Sequence, residues 1–390
     1  MSDRKPQADD FLTIGPRVRV LPIIHGAGDF AIRVREELLA RPYDCVAVPL
    51  PPSFQDDVEE AVERLPAISA VLQRDADDGE GQGEPGFSYV PIDPCQGVIA
   101  AIRTAIGERI ARAFIDRETP RFEAHHAGFP DPYALKRVSP AGFAAAVLPA
   151  IPPPQPGQHA DRIAWMAQRL HDLERRHRAI LLVCSLLDWP WIRDAYLRRT
   201  PVEEPEPFFA PIQAVAVDPR TLIFLLGELP FLTGLYERGR RELTPDDNLS
   251  VDGVKEMVLH ARERLRVTRP RVAKRITPQL LSVYVRYVRN LSLMERRLTP
   301  DLYSLVVAAQ QTAGDDFALA VAEAAREYPY AGRPEAGADG DPASGVLRMG
   351  IERAEVPGWG LAPLVSRLPG QALSWRSCAL RPRPPEPDRR

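Results

Sequence analysis

Histidine, serine and aspartate residues close four apolar, β-branched segments of this sequence. His25 and Asp29 follow Arg17–Ile24 (RVRVLPII), and Asp93 follows Phe87–Ile92. Asp116 ends Ile110–Asp116 (IARAFID), and Ser185 and Asp188 follow or end Ala179–Ser185 (AILLVCS). A neutral imidazole serves as a general base or a metal ligand, and a carboxylate can orient it or complete a ligand set. His25, Asp29 and Asp188 are therefore the candidate catalytic residues. His25, Asp116 and Asp188 form a candidate ligand set, and the cofactor such a set would take is a divalent metal. The run His25-Gly26-Ala27-Gly28-Asp29 opens a helical pattern, so the backbone at Gly26 and Gly28 could hold an anion or cofactor. It lacks the third glycine of a dinucleotide fingerprint, and no G-x-S-x-G elbow occurs in the chain. The plainer use of each Asp is to cap a helix. His125-His126 and His159-Ala-Asp161 add further ligand types, with solvent-exposed loop histidines as the simpler reading.

Such residues need a scaffold that brings distant segments to one edge, and an open parallel sheet does so beyond the carboxyl ends of its strands. Strand-like runs at 17–24, 45–50, 68–73, 87–92, 110–116 and 179–185 alternate with helical patterns at 29–41, 55–65, 139–150 and 160–176. This predicts an α/β fold, a mostly parallel sheet flanked by helices, over residues 17–200. Residues 1–16 read as a flexible N-terminus, and 75–86 (DADDGEGQGEPG) as a disordered insertion too polar to pack. A proline-rich linker occupies 201–218. Beyond it Leu280, Tyr284, Tyr287, Leu291 and Met294 share a helical face, which predicts an α-helical domain over 219–330. Residues 331–390 read as a linker and a short C-terminal extension, with strand-like pieces at 346–356 and 372–380. Asp or Ser/Thr before Pro at 93, 131, 139, 218, 244, 277 and 299 marks helix starts.

The 390 residues carry 50 basic and 53 acidic side chains, a net charge of −3 that excludes a polybasic nucleic-acid or membrane coat. Residues 251–299 hold twelve basic residues against four acidic. That run reads first as a solvated helix face, so nucleic acid is not the expected partner. An unidentified small molecule or protein is. Cys45, Cys95, Cys184 and Cys378 form no C-x-x-C pair. Glu228 and Pro230 interrupt the most apolar run, 221–232, which is too short to span a bilayer. No apolar segment follows the N-terminal Met-Ser-Asp-Arg-Lys-Pro, so a cytoplasmic protein without a membrane anchor is expected.

Pro22-Ile-Ile-His25 before a helix, the short strand ending Val48-Pro49-Leu50, Phe114-Ile115-Asp116, and Ser185-Leu-Leu-Asp188 before Trp189-Pro190-Trp191-Ile192 form one pattern. It resembles the erythromycin-esterase/ChaN/TraB-like superfamily, in an uncharacterised bacterial branch, over the N-terminal half. The resemblance implies a site lined by two G-x-x-H turns and an acidic residue after the second strand, metal-dependent and hydrolytic in some members. Here His25 keeps the first histidine, Pro49 stands at the acidic position, and Asp188 replaces the second histidine. The implied function is a non-catalytic or weakly catalytic scaffold or interaction protein with a degenerate site. The alternative is a metal-assisted hydrolase using His25 and the strand-end carboxylates.

Overall fold

The computed structural model describes residues 11–76, 86–125, 128–204, 208, 210–242, 251–331, 345–371 and 376–382. The chain divides into two compact units, Met1–Gly227 with Tyr330–Ala372, and Glu228–Pro329 with Leu373–Arg390.

The first unit runs β1 (Val18–Ile23), α1 (Gly28–Ala40), β2 (Cys45–Val48), α2 (Gln55–Glu63), β3 (Ser69–Arg74), β4 (Phe87–Ile92), α3 (Gly97–Gly107) and β5 (Ala111–Phe114). It continues with α4 (Pro140–Val147), α5 (Gln158–Glu174), β6 (Ile180–Ser185), α6 (Trp189–Arg198) and β7 (Ile212–Ala216). Four strands form a wholly parallel sheet in the order β1-β6-β2-β5. Every residue of β2 and β6 is buried, as expected for parallel strands covered on both faces. Ile23 pairs with Ser185, so the loops after β1 and β6 leave the sheet side by side. The Leu186 N–H reinforces this by donating to the Ile23 carbonyl at 2.7 Å.

A second, mixed sheet stands beside it. The runs at 68–73 and 87–92 do not join the parallel sheet; they form the antiparallel pair β3–β4. No helix joins them within the described residues, and parallel pairing needs a long crossover connection. Apart from its ends, the 75–86 insertion lies outside the described residues. The expected 201–218 linker contains β7, paired antiparallel to β3. After the second unit the chain returns as β8 (Arg348–Met349), β9 (Arg353–Val356) and β10 (Gly360–Ser366), completing the order β7-β3-β4-β10-β9-β8. Gly360 and Pro363 hide β10 from a pattern reading, and residues 376–380 form no strand. Of the expected flexible N-terminus, residues 1–10 lie outside the described residues. Leu12 and Ile14, in contrast, are buried, and Phe11 meets Trp189 edge-on.

The second unit is helical: α7 (Pro230–Glu242), α8 (Val251–Thr268), α9 (Pro270–Ala273), α10 (Pro278–Met294), α11 (Leu302–Ala313) and α12 (Asp315–Ala325). Met257, Ala261, Leu265, Tyr284, Val288, Leu305, Phe317 and Val321 form its core. The apolar face of α10 is narrower than its sequence implies. Tyr284, Val288 and Ser292 point inward, whereas Met294 is 82 % exposed. Part of the positive charge in 251–299 is compensated: Arg264 pairs with Glu323 and Glu327, Arg269 with Asp316 and Arg297 with Asp301.

Asp131, Ser139, Asp218 and Thr277 accept N–H groups as caps. Asp93 and Thr299 do not cap the following helices, which start at Gly97 behind Gln96 and at Leu302 behind Asp301. Thr244 and Pro245 lie outside the described residues.

Candidate functional site

Beyond the carboxyl ends of the parallel strands, the first unit holds a pocket. It is lined by His25, Pro49, Phe122, His125, His159, Arg162, Ser185, Leu187, Asp188, Arg367 and Pro369. About 20 Å³ of it is open to the centre of a water molecule, room for one bound water.

His25 arrives from β1 and is 5 % exposed. Its Nδ1 lies 3.0 Å from the side-chain carbonyl oxygen of Gln96, the residue preceding α3. A carbonyl oxygen only accepts, so Nδ1 carries the proton and Nε2 of the neutral ring carries the lone pair. Burial pushes the His25 pKa down, against the Gln96 hydrogen bond and the Asp188 charge, and so favours that neutral ring. Glycines let neighbouring segments close on this turn. Gly26 has φ +75°, a Cβ on Gly227 would stand 2.1 Å from the Gly26 carbonyl oxygen, and a Cβ on Gly370 would stand 2.6 Å from that of His25. Asp93 ties down the 227 segment by accepting the N–H of Gly227 at 2.9 Å.

Asp188 arrives from β6. It occupies the N-cap position of α6 but accepts no capping hydrogen bond. Instead it accepts from Nε2–H of His159 at 2.9 Å. Burial works against its charge, yet the His159 hydrogen bond and the Arg162 guanidinium help hold the carboxyl below its ordinary range. His159 Nδ1 is buried without a partner, and its ring stacks on His125 at 4.4 Å between centroids.

Asp116 arrives beyond β5, held by its N–H bond to the Leu50 carbonyl. It is 1 % exposed, and Arg162 of α5 grips it with Nε at 3.0 Å and Nη2 at 2.6 Å. Two guanidinium groups approach the Phe122 ring, Arg162 at 4.7 Å and Arg367 at 5.1 Å from its centroid. Arg367 directly follows β10 and is 3 % exposed. It donates to Ser88 Oγ at 3.0 Å and to Gln73 Oε1 at 2.6 Å, while its Nη1 has no partner.

The structure thus brings His25 and Asp188 together in the pocket lining, whereas Asp116 is not part of that lining and meets it only through Arg162. Asp29 does not join them: it sits in the first turn of α1, and its carboxylate lies 3.3 Å from Lys136 Nζ. Burial pushes the pKa of Asp29 up against that pairing. Gly26 and Gly28 do not line the pocket; Gly26 makes the close approach to Gly227, and Gly28 is buried as the first residue of α1. His25, Asp116 and Asp188 do not suit a divalent metal, because Arg162 occupies the Asp116 carboxylate and two guanidinium groups border the space. Among the described residues, no three His, Cys, Asp or Glu side chains stand together as metal ligands. His126 lies outside the described residues.

Sequence reading missed Gln96, Arg162 and Arg367, and left His159 among possible loop ligands. His159 and Arg162 had a usable signal, since positions i and i+3 of a helix share a face. Gln96 and Arg367 had none stronger than a place just beyond a strand.

The chain matches no family model, no curated protein and no solved structure. Among the described residues, no helix is long and apolar enough to cross a membrane.

Proposed function

We propose that the first unit is a hydrolase that uses its own side chains for acid–base chemistry, with His25 as the base. The observation that carries this is the buried His25 ring, whose Nδ1 lies 3.0 Å from Gln96 Oε1 in a pocket with room for one water. His25 Nε2 would take a proton from that water as the water oxygen attacks a scissile carbonyl or phosphorus. The resulting imidazolium would return the proton to the departing oxygen, closing the cycle. Asp188 is a positioning residue, fixing the His159 ring beside the same water. Membership of the erythromycin-esterase/ChaN/TraB-like superfamily is part of the proposal, supported by the first-histidine turn falling on His25. So is a cytoplasmic site of action, supported by the buried free thiols of Cys45 and Cys184. The site's acid–base geometry favours this reading over a purely non-catalytic scaffold.

The test is hydrolysis of a panel of small carboxylic and phosphoric esters by the full chain and by His25→Ala and Asp188→Asn. Turnover that falls about 10²–10⁴-fold in His25→Ala is expected. Equal rates in wild type and His25→Ala, or no turnover of any ester, would overturn the reading.

A further inference from the structure

Arg367 is a buried cation with no carboxylate to answer it. Its two hydrogen bonds go to neutral oxygens, of Ser88 and Gln73, and its ring contacts are Phe54 and Phe122. Desolvation pushes its pKa down to about 10, against the pull of Asp116. The three carboxylates whose charge reaches it are engaged elsewhere, Asp116 by Arg162, Glu118 by Ser53 and Asp75 by Arg121. A buried charge left uncompensated is costly, and a buried N–H donor without an acceptor adds to that cost. Both costs would be relieved by one anionic oxygen in the pocket. Arg162 adds a second donor group there, since its Nε and Nη2 serve Asp116 while Nη1 stands outside that fork. The planar guanidinium is also the side chain best shaped to hold a carboxylate or phosphate.

We propose that this pocket binds an oxyanion, so that the hydrolase's substrate carries a carboxylate or phosphate group held by Arg367 and Arg162. The inference rests on the pocket's being a substrate site and names the class of substrate. The pocket is partly open to solvent beyond the space of one water, so the anionic oxygen would sit at the Arg367 and Arg162 guanidinium groups beside the water that His25 activates.

The test is calorimetric titration of the full chain with inorganic phosphate and, separately, with acetate, against sodium chloride at matched ionic strength. Saturable one-to-one binding of at least one anion is expected, and the tighter of the two identifies the group. Affinity should fall by roughly tenfold or more in Arg367→Met and, because an ammonium has no fork, in Arg367→Lys as well. Thermal unfolding of both variants checks that they are folded, and Arg162→Lys gives an independent loss if Arg367→Met does not fold. No saturable binding of either anion to wild type, or unchanged affinity in a folded Arg367 variant, would overturn the inference. The titration needs no turnover, so the two readings fail separately. An ester hydrolase that binds neither anion removes only the substrate class. An anion binder without His25-dependent turnover removes only the hydrolase.

Discussion

Replacing Asp116 with Asn would strip the buried Arg162 guanidinium of its partner. Asp116 and Arg162 side chains are 1 % and 8 % exposed, and the carboxylate accepts from both Nε and Nη2. Breaking such a pair by removing one member costs about 3–5 kcal/mol, because the surviving charge stays desolvated. A kcal/mol lowers Tm by about 2–4 °C in a unit of this size, so a fall of about 6–20 °C is expected. Tryptophan fluorescence is the suitable signal, since Trp165, Trp189, Trp191 and Trp359 all belong to the first unit. Adding Arg162→Met should recover much of the loss, because apolar replacement of a whole buried pair is often neutral. An Asp116→Asn protein within about 1 kcal/mol of wild type would refute the reasoning. So would a double variant as unstable as the sum of the two single changes.

Gly227→Ala should cost about 1–3 kcal/mol and reduce any His25-dependent rate, since its Cβ would meet the Gly26 carbonyl oxygen at 2.1 Å. Urea midpoints check this, with Gly107→Ala, whose Cβ meets nothing within 4 Å, as the neutral control. The Asp188 carboxyl is held below its unfolded value of about 3.9, so the unfolded chain binds more protons between the two values. Its stabilisation is complete above about pH 4 and is lost as pH falls through the folded value. Asp188→Asn should therefore flatten the acid side of the stability profile measured by denaturant titration. His25 has its pKa lowered by burial, which puts the acid limb of the rate profile below about pH 6.5, with full activity above it. A limb at or above that value in the measured profile would contradict the neutral-base assignment.

The scaffold was largely legible because strand periodicity and polar strand ends are local features. Cys45–Val48 and Ile180–Ser185 are short apolar runs with only one place to go, a sheet covered on both faces. His25 and Asp188 could be singled out for the same reason: each sits where a strand ends. Their adjacency depends on β6 inserting between β1 and β2, a non-local pairing that no short window contains. Asp29 was read with His25 because it closes the same strand-end loop, but it falls in the first turn of α1, where its carboxylate meets Lys136. Arg367 was invisible as a site residue, since its role depends on a C-terminal strand adding to β4 from more than 270 positions away.

The protonation state of His25 tests the central claim most directly, and ¹⁵N NMR of the histidine rings across pH reads it without a substrate. At pH 7 the His25 ring should be neutral, with its proton on Nδ1 and Nε2 bare, and it should titrate below the ordinary histidine range. Loss of the signal in His25→Ala fixes the assignment. An imidazolium at pH 7, or a neutral ring protonated on Nε2, would contradict the role of His25 as the base.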